Sequence, residues 1–377
     1  MKILIAPDSF KHALSALDVA RRLRKGLLEA LPDAEIQMVP MADGGEGTVE
    51  SLIDATGGSL VTARVHDPLM REIEAGFGIS GDGTMAVIEM AAASGLQLIG
   101  PREKNPWITS TWGTGELIRE ALDRGCRTLL MGIGGSATND CGSGMAMALG
   151  VRFLDEGDRP VGQGGGVLGK IRRIDVSGLD PRINDIRVIV ACDVRNPLTG
   201  PDGASLVYGP QKGAGKEMAL DLDRNLAAFA ALIRDQLGKE VDSLPGSGAA
   251  GGLGAGLIAF LEARLVEGVP AIAERIGLEE KIRWADLVIT GEGSMDFQTR
   301  FGKTPSGVAK MAKCHDKPVI AVTGSLGQGY RSLYEEGFDV LVPIPDAPVS
   351  LEEAIARTPE MLERSGRMIG NLLKLGG

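Results

Sequence analysis

The chain has 377 residues and a net charge of −10, with 44% hydrophobic and 24% charged residues, a globular composition long enough for two domains. That acidity argues against nucleic acid or an anionic membrane as a main partner. Four widely spaced cysteines without a CxxC pair argue against a zinc site or a disulfide framework.

The start, Met1 to Asp8, is apolar for too few residues to be a signal peptide, and no run approaches the ~20 residues of a membrane span, so a cytoplasmic protein is expected. Ile3–Ala6 reads as a strand buried on both faces. Ser15, with Asp18 three residues on, offers a helix cap before Val19, Leu23, Leu27 and Leu31 at helical spacing. Ile36–Val39 is the next strand, followed by the loop Asp43-Gly-Gly-Glu-Gly-Thr48 and a helix through about Ala55. From about Leu60 the texture changes. Leu60–Val65, Glu72–Ile79 and Met85–Met90 are short strands between Asp-Pro and Gly-Asp-Gly turns, which suggests a mixed or antiparallel sheet. A helix over Thr114–Arg124, a strand at Val188–Ala191 and long helices over about Lys216–Leu237 and Gly252–Leu265 follow. From Ala285 three apolar strands alternate with helices near 302–312 and 329–336, and a helix over about Leu351–Leu375 closes the chain. The economical model is α/β: one doubly wound parallel-sheet domain made from both chain ends (1–59 and 285–377), with a second mixed-sheet domain (60–284) inserted and the active site in the cleft between them.

The organising stretch is Gly132–Gly144, in which the apolar run Thr128–Gly132 empties into glycines, hydroxyls and Asn139-Asp140 before apolar residues resume at Met145. Strand, tight loop and helix in this order make an anion cradle, because backbone N–H groups left unpaired there can hold phosphate oxygens. Gly246–Gly254 and Gly291–Thr299 share the same grammar. The 54 glycines, about twice the ordinary ~7% share, concentrate in such loops. Gly302-Lys-Thr304 resembles the end of a P-loop, but Phe297 stands where Walker A needs glycine. Gly246–Gly251 matches GxGxxG, yet no convincing strand precedes it. What remains suits phosphoryl transfer, which needs a cradle, lysines, a carboxylate for Mg²⁺ and an acceptor for a hydroxyl proton. Lys11, Lys212 and Lys303 follow loop glycines or hydroxyls. Asp8, Asp43, Asp193, Glu292 and Asp296 follow apolar strands. His12, His66 and His315 are too scattered for a catalytic triad.

Five motifs then carry a resemblance: Ala6–Lys11, Ala42–Thr48, Gly132–Asp140, Ala191–Leu198, and Gly291-Glu-Gly with Asp296–Thr299. In this order and from end to end, the chain resembles the bacterial glycerate kinase family of the type that makes 2-phosphoglycerate. Cys141, Ser294-Met295 and Phe297 depart from the usual pattern. The resemblance implies ATP and Mg²⁺, D-glycerate as acceptor, and a flavodoxin-like domain interrupted by a second α/β domain. From their places in these loops Gly134, Gly135, Ser136, Thr138, Asn139, Gly251 and Gly252 are expected to bind nucleotide phosphates. Asp8, Ser9, Asp43, Glu46 and Lys303 are expected around the substrate, and Asp193, Asp296 and Lys11 in catalysis. Asp193, Asp296 and Glu292 are the candidate Mg²⁺ ligands, and a homodimer is a possible assembly. Arg64, Arg71, Arg195 and Arg300 are all open as the substrate-carboxylate site. Transfer to the 3-hydroxyl, another small hydroxyacid, a nicotinamide oxidoreductase resting on Gly246–Gly251, or a hydroxyacid-sensing module are the competing readings.

Overall fold

The computed structural model describes residues 1–42, 45 and 47–375. The chain opens with β1 (Lys2–Ile5), α1 (Ala16–Ala30), β2 (Glu35–Met38) and α2 (Thr48–Thr56). Its middle holds β3 (Ser59–His66), β4 (Glu72–Ile79), β5 (Met85–Glu89), α3 (Ala91–Ser94), α4 (Trp112–Asp123), β6 (Thr128–Gly132) and α5 (Ser143–Ala148). β7 (Arg152–Leu154), β8 (Arg173–Asp175), β9 (Arg187–Ala191), α6 (Ala204–Tyr208), α7 (Lys216–Leu237), α8 (Ala249–Leu261) and β10 (Arg264–Val266) follow. The last stretch runs through α9 (Gly268–Arg275), α10 (Leu278–Trp284), β11 (Leu287–Glu292), α11 (Thr304–Lys313), β12 (Val319–Thr323), β13 (Val340–Pro343) and α12 (Leu351–Leu375).

The described residues form two compact units. The first draws on Met1–Asp43, Glu50–Gly57 and Glu267–Gly377, the second on Gly44–Val49 and Gly58–Val266. The sequence reading put the return crossing at 285. The first unit resumes already at Glu267, because α9 and α10 pack on each other and on α11.

The first unit has a five-stranded parallel sheet in the order β2-β1-β11-β12-β13, the 2-1-3-4-5 order of flavodoxin-like folds. The inner strands β1, β11 and β12 are largely apolar, as strands covered on both faces are; Ile3, Leu4 and Ile5 are all fully buried, whereas edge strand β2 (Glu-Ile-Gln-Met) has no buried residue. On one face α1 and α12 pack together, burying Val19, Leu23, Leu27, Met361, Leu362 and Ile369 with Ile3 and Ile5. α10 packs on β1 and α11 on β11. Ser15 caps α1, its Oγ accepting the Asp18 N–H at 3.2 Å, as the Ser15–Asp18 spacing predicts.

The second unit has a six-stranded mixed sheet, β10-β9-β6-β5-β4-β3, parallel from β10 to β5 and antiparallel at β4 and β3. Its core is aliphatic apart from Phe77 on β4 and a small cluster in which Phe153 meets Phe229 and Phe260 edge-on, at centroid distances of 5.4 and 5.7 Å. β7 and β8 form a hairpin beside it that the sequence reading did not anticipate. The helix expected to run to Leu265 ends at Leu261, where Glu262 turns left-handed (φ 53°) and the chain re-enters the sheet as β10. The helix expected near 329–336 is a 3₁₀ stretch over Tyr330–Glu336. Among the described residues no helix is long and apolar enough to cross a membrane, and all four cysteines are free thiols.

Candidate active site

In the second unit β5, β6 and β9 are adjacent and parallel, with Glu89, Gly132 and Ala191 in register at their carboxyl ends. Glu89, the loop after Gly132, and Asp193 therefore emerge along one sheet edge, where open α/β sheets place their ligands. Gly134 and Gly135 are exposed on that edge and Asp193 is exposed beside Cys192. From Ser136 to Asp140 the loop is buried. Thr138 and Asn139 thus lie beneath the rim. The Thr138 Oγ1 and Asn139 Oδ1 have no hydrogen-bond partner, whereas Asn139 Nδ2 donates to Ser205 Oγ at 2.9 Å. Gly251 and Gly252 support this loop from behind. They continue a left-handed turn begun at Ala250 (φ 55°, 69° and 86°), and Gly251 O accepts the Cys141 N–H at 3.1 Å. A Cβ on Gly251 would stand 1.9 Å from Thr138 O, so only glycine lets these backbones meet.

Two buried charges hold the loop. Asp140 is fully buried, and its Oδ2 accepts from Thr111 N–H (2.8 Å), Thr111 Oγ1 (2.9 Å) and Gly144 N–H (3.2 Å), while Oδ1 accepts from Gly142 N–H (3.2 Å). Burial pushes its carboxyl up and these donors pull it back. A nest of donors with no acceptor holds the carboxylate form. Lys212, on a 3₁₀ turn over Pro210–Lys212, is 1% exposed; its Nζ donates to Ser136 Oγ and Thr138 O, both at 2.7 Å. Burial lowers its ammonium to about 7, against the attraction of Asp140.

Around the same edge, Glu89 accepts the Val49 N–H at 3.0 Å, and Gly45 Cα is 3.9 Å from where a Cβ on Gly134 would stand. Asp43 and Glu46, expected at the substrate, lie outside the described residues. Asp140, Glu89 and Lys212 had no assigned role in the sequence reading. Glu89 did carry a signal, a carboxylate closing the apolar run Met85–Ile88. The signal for Lys212 was its place between Pro210 and Gly213.

In the first unit the strand order reverses between β1 and β11, and the expected residues gather at that switch point. The Asp8 N–H donates to Gly291 O at 2.8 Å and the Ser9 N–H to Asp8 Oδ1 at 2.6 Å. Glu292, at the end of β11, accepts the Thr299 hydroxyl at 2.8 Å and meets Lys303 Nζ at 3.2 Å. Burial raises the Glu292 carboxyl, Lys303 and Thr299 draw it back, and Asp8 pushes it further up. Asp296 caps the short turn Phe297–Arg300, its Oδ1 accepting the Gln298 N–H at 2.7 Å, while its own N–H donates to Thr299 Oγ1 at 3.2 Å. Thr299 therefore links Asp296 to Glu292. Lys11 is exposed, with its backbone N 3.5 Å from where a Cβ on Gly293 would stand. The first turn of α11 buries two hydroxyls, on Thr304 and Ser306, that have no partner.

Of the candidate arginines, Arg71 is already bound to Asp67 and Glu103, and Arg300 stacks over Phe301. His66 pairs with Glu116 at 3.0 Å and His315 with Glu279 at 3.1 Å, apart from either cluster.

The family model for the glycerate kinase family matches residues 3–374. The chain belongs to the glycerate kinase family. As a member it is a phosphotransferase. It is 52% identical to a glycerate kinase of Halalkalibacterium halodurans, over 97% of both chains. It is 48% identical to the glycerate 2-kinase of Escherichia coli K12, over 100% of this chain and 99% of the relative. A crystal structure from Salmonella typhimurium LT2, provisionally assigned as glycerate kinase 2, superposes with a TM-score of 0.93 at 48% identity, covering 100% of this chain and 99% of that one.

Proposed function

We propose that the chain is an ATP-dependent glycerate 2-kinase that moves a phosphoryl group from ATP to the 2-hydroxyl of D-glycerate, giving 2-phosphoglycerate and ADP. The observation that carries this reading is the glycine loop at the edge of the mixed sheet, exposed at Gly134 and Gly135 and held from beneath by buried Lys212. Backbone N–H groups of that loop hold phosphate oxygens, with Ser136 at its rim and Thr138, Asn139, Gly251 and Gly252 fixing its shape. At the other site Asp8, Ser9 and Lys303 face the substrate; Asp43 and Glu46, outside the described residues, keep the substrate role expected of them. Lys11 and Lys303 neutralise the transferring phosphoryl or the substrate carboxylate. Asp193 or Asp296 accepts the hydroxyl proton.

Among the described residues no group of three His, Cys, Asp or Glu side chains could hold a metal ion. That fits Mg²⁺, which binds through one or two carboxylates plus substrate phosphates. Asp296 keeps Oδ2 outside its capping bond, and one or two of Asp193, Asp296 and Glu292 are the carboxylates we assign to the ion. When bound, Mg²⁺ neutralises charge developing on the phosphates.

Turnover of ATP with D-glycerate, coupled through enolase with and without phosphoglycerate mutase, tests the reading. Signal without mutase is expected, since enolase accepts 2-phosphoglycerate directly; signal only with mutase would move transfer to the 3-hydroxyl. Absence of signal in both arms would favour another hydroxyacid or the sensing module. Asp193→Asn and Asp296→Asn should each lower turnover ~10²-fold or more. Near-wild-type turnover in both would remove these residues from their roles.

A further inference from the structure

The contacts of Lys212 assign it a role beyond packing. An ammonium has three donors and no acceptor, so at 2.7 Å the Ser136 Oγ must accept from Nζ. Its own O–H then points elsewhere, and it donates to no described residue. If Nζ loses a proton it keeps two N–H donors, one of them for Thr138 O, and gains a lone pair to which the Ser136 hydroxyl can donate at the same 2.7 Å, so that it turns inward and the rim loses a donor. We propose that Lys212 is a positioning residue that, while protonated, holds the Ser136 hydroxyl toward the ligand anion, so that phosphate binding in this cradle takes up a proton. The inference rests on the reading that ATP phosphates occupy the Gly134–Ser136 rim.

The surroundings allow such a switch. Lys212 makes no ion pair within 4.0 Å among the described residues, so nothing clamps its charge outright. Burial brings its ammonium to about 7. An arriving polyanion favours the charged form and draws a proton in. Other titratable groups on the elements around it are few. Asp140 on the loop is the carboxylate that attracts it. Cys141, a buried thiol pushed far up by burial, stays neutral. Tyr208 on α6 is also raised by burial and gives its hydroxyl to Asn196 at 2.7 Å. Lys104 reaches Gln211 O at 3.4 Å, and Lys216 and Glu217 at the start of α7 are exposed.

The test is calorimetric titration of the full chain with ATP and Mg²⁺ between pH 7 and 9, in pairs of buffers with different ionisation enthalpies. Wild type should take up close to one proton at pH 8 to 9, and its Kd should weaken up to about tenfold from pH 8 to 9. Lys212→Arg, which stays charged, should bind with no proton uptake and a flat pH profile. Lys212→Met and Ser136→Ala should both weaken binding at pH 7, the former again without proton uptake. Should Lys212→Met fail to fold, the wild-type proton count and the arginine variant still decide. ATP binding by wild type with no proton uptake and a flat profile would overturn this inference and leave the kinase reading standing. No ATP binding by folded wild type at any pH would overturn both.

Discussion

At the scale of single residues, the cradle is a surface of glycines fixed by buried charge. Asp140→Asn replaces an acceptor-only carboxylate by an amide whose NH₂ must face N–H and O–H donors. It should cost about 1.5–3 kcal/mol, the worth of hydrogen bonds to a charged group, read as a lower urea midpoint. Lys212 gives a stability signal opposite to that of an ordinary ion pair. Its folded ammonium titrates near 7 and the unfolded one near ~10.4. Between those values the unfolded chain holds the extra proton, so stability rises with pH across that window. Below about 7 both states are charged and the burial cost is borne in full. Wild type minus Lys212→Met, measured by denaturant melts from pH 6 to 10, should therefore climb with pH. The sequence marked Lys212 as one of three candidate lysines but not as a buried one, and it left Asp140 without a role. Asp140 and Lys212 looked like any charged loop residues, which are mostly exposed; only the fold puts them under Ser136 and Thr138. Glycines and strand-end carboxylates, by contrast, mark themselves by position.

Elements were legible wherever one periodicity ran long enough. The limits of α7 and α12 fall where the apolar spacing puts them, and the three late strands stand out as apolar runs. The stretch after Leu261 was not legible, because one left-handed residue, Glu262, turns an apolar continuation into β10. The turn at Ala250–Gly252 is the same kind of event used for function. Gly251→Ala forces a Cβ against Thr138 O, and a displacement of about 1 Å in the cradle should lower ATP-dependent turnover of order 10²-fold, with KM for ATP raised. Elsewhere, glycine sets the distance between helices. A Cβ on Gly26 of α1 would stand 1.9 Å from Glu363 O of α12, where Arg22 and Lys25 also pair with Glu363. Gly26→Leu should drive the helices apart at about 1–3 kcal/mol or more. Differential scanning calorimetry should show a lower Tm, with exposed Arg24→Ala as a near-silent control.

For the whole molecule, the family resemblance and the strand texture agree because both record the same insertion. β1 pairs with β2 nearby and with β11 across 284 positions (Ile3 with Leu287), and the second unit fills the gap with its own sheet and core. Limited proteolysis of a destabilised variant such as Gly26→Leu should leave a resistant fragment spanning about 58–266, since its core does not draw on α1 or α12. Equal loss of both units would contradict that independence. The same connectivity sets an order of events on the ribosome. β1 and β2 leave the exit tunnel first, yet the strand that flanks β1 on its other side is made only after the inserted unit. At ~5–20 residues per second, the free edge of β1 waits roughly 12–50 s for β11. That interval is when a holding chaperone has most to offer this chain, and a pause in translation just before β11 would lengthen it.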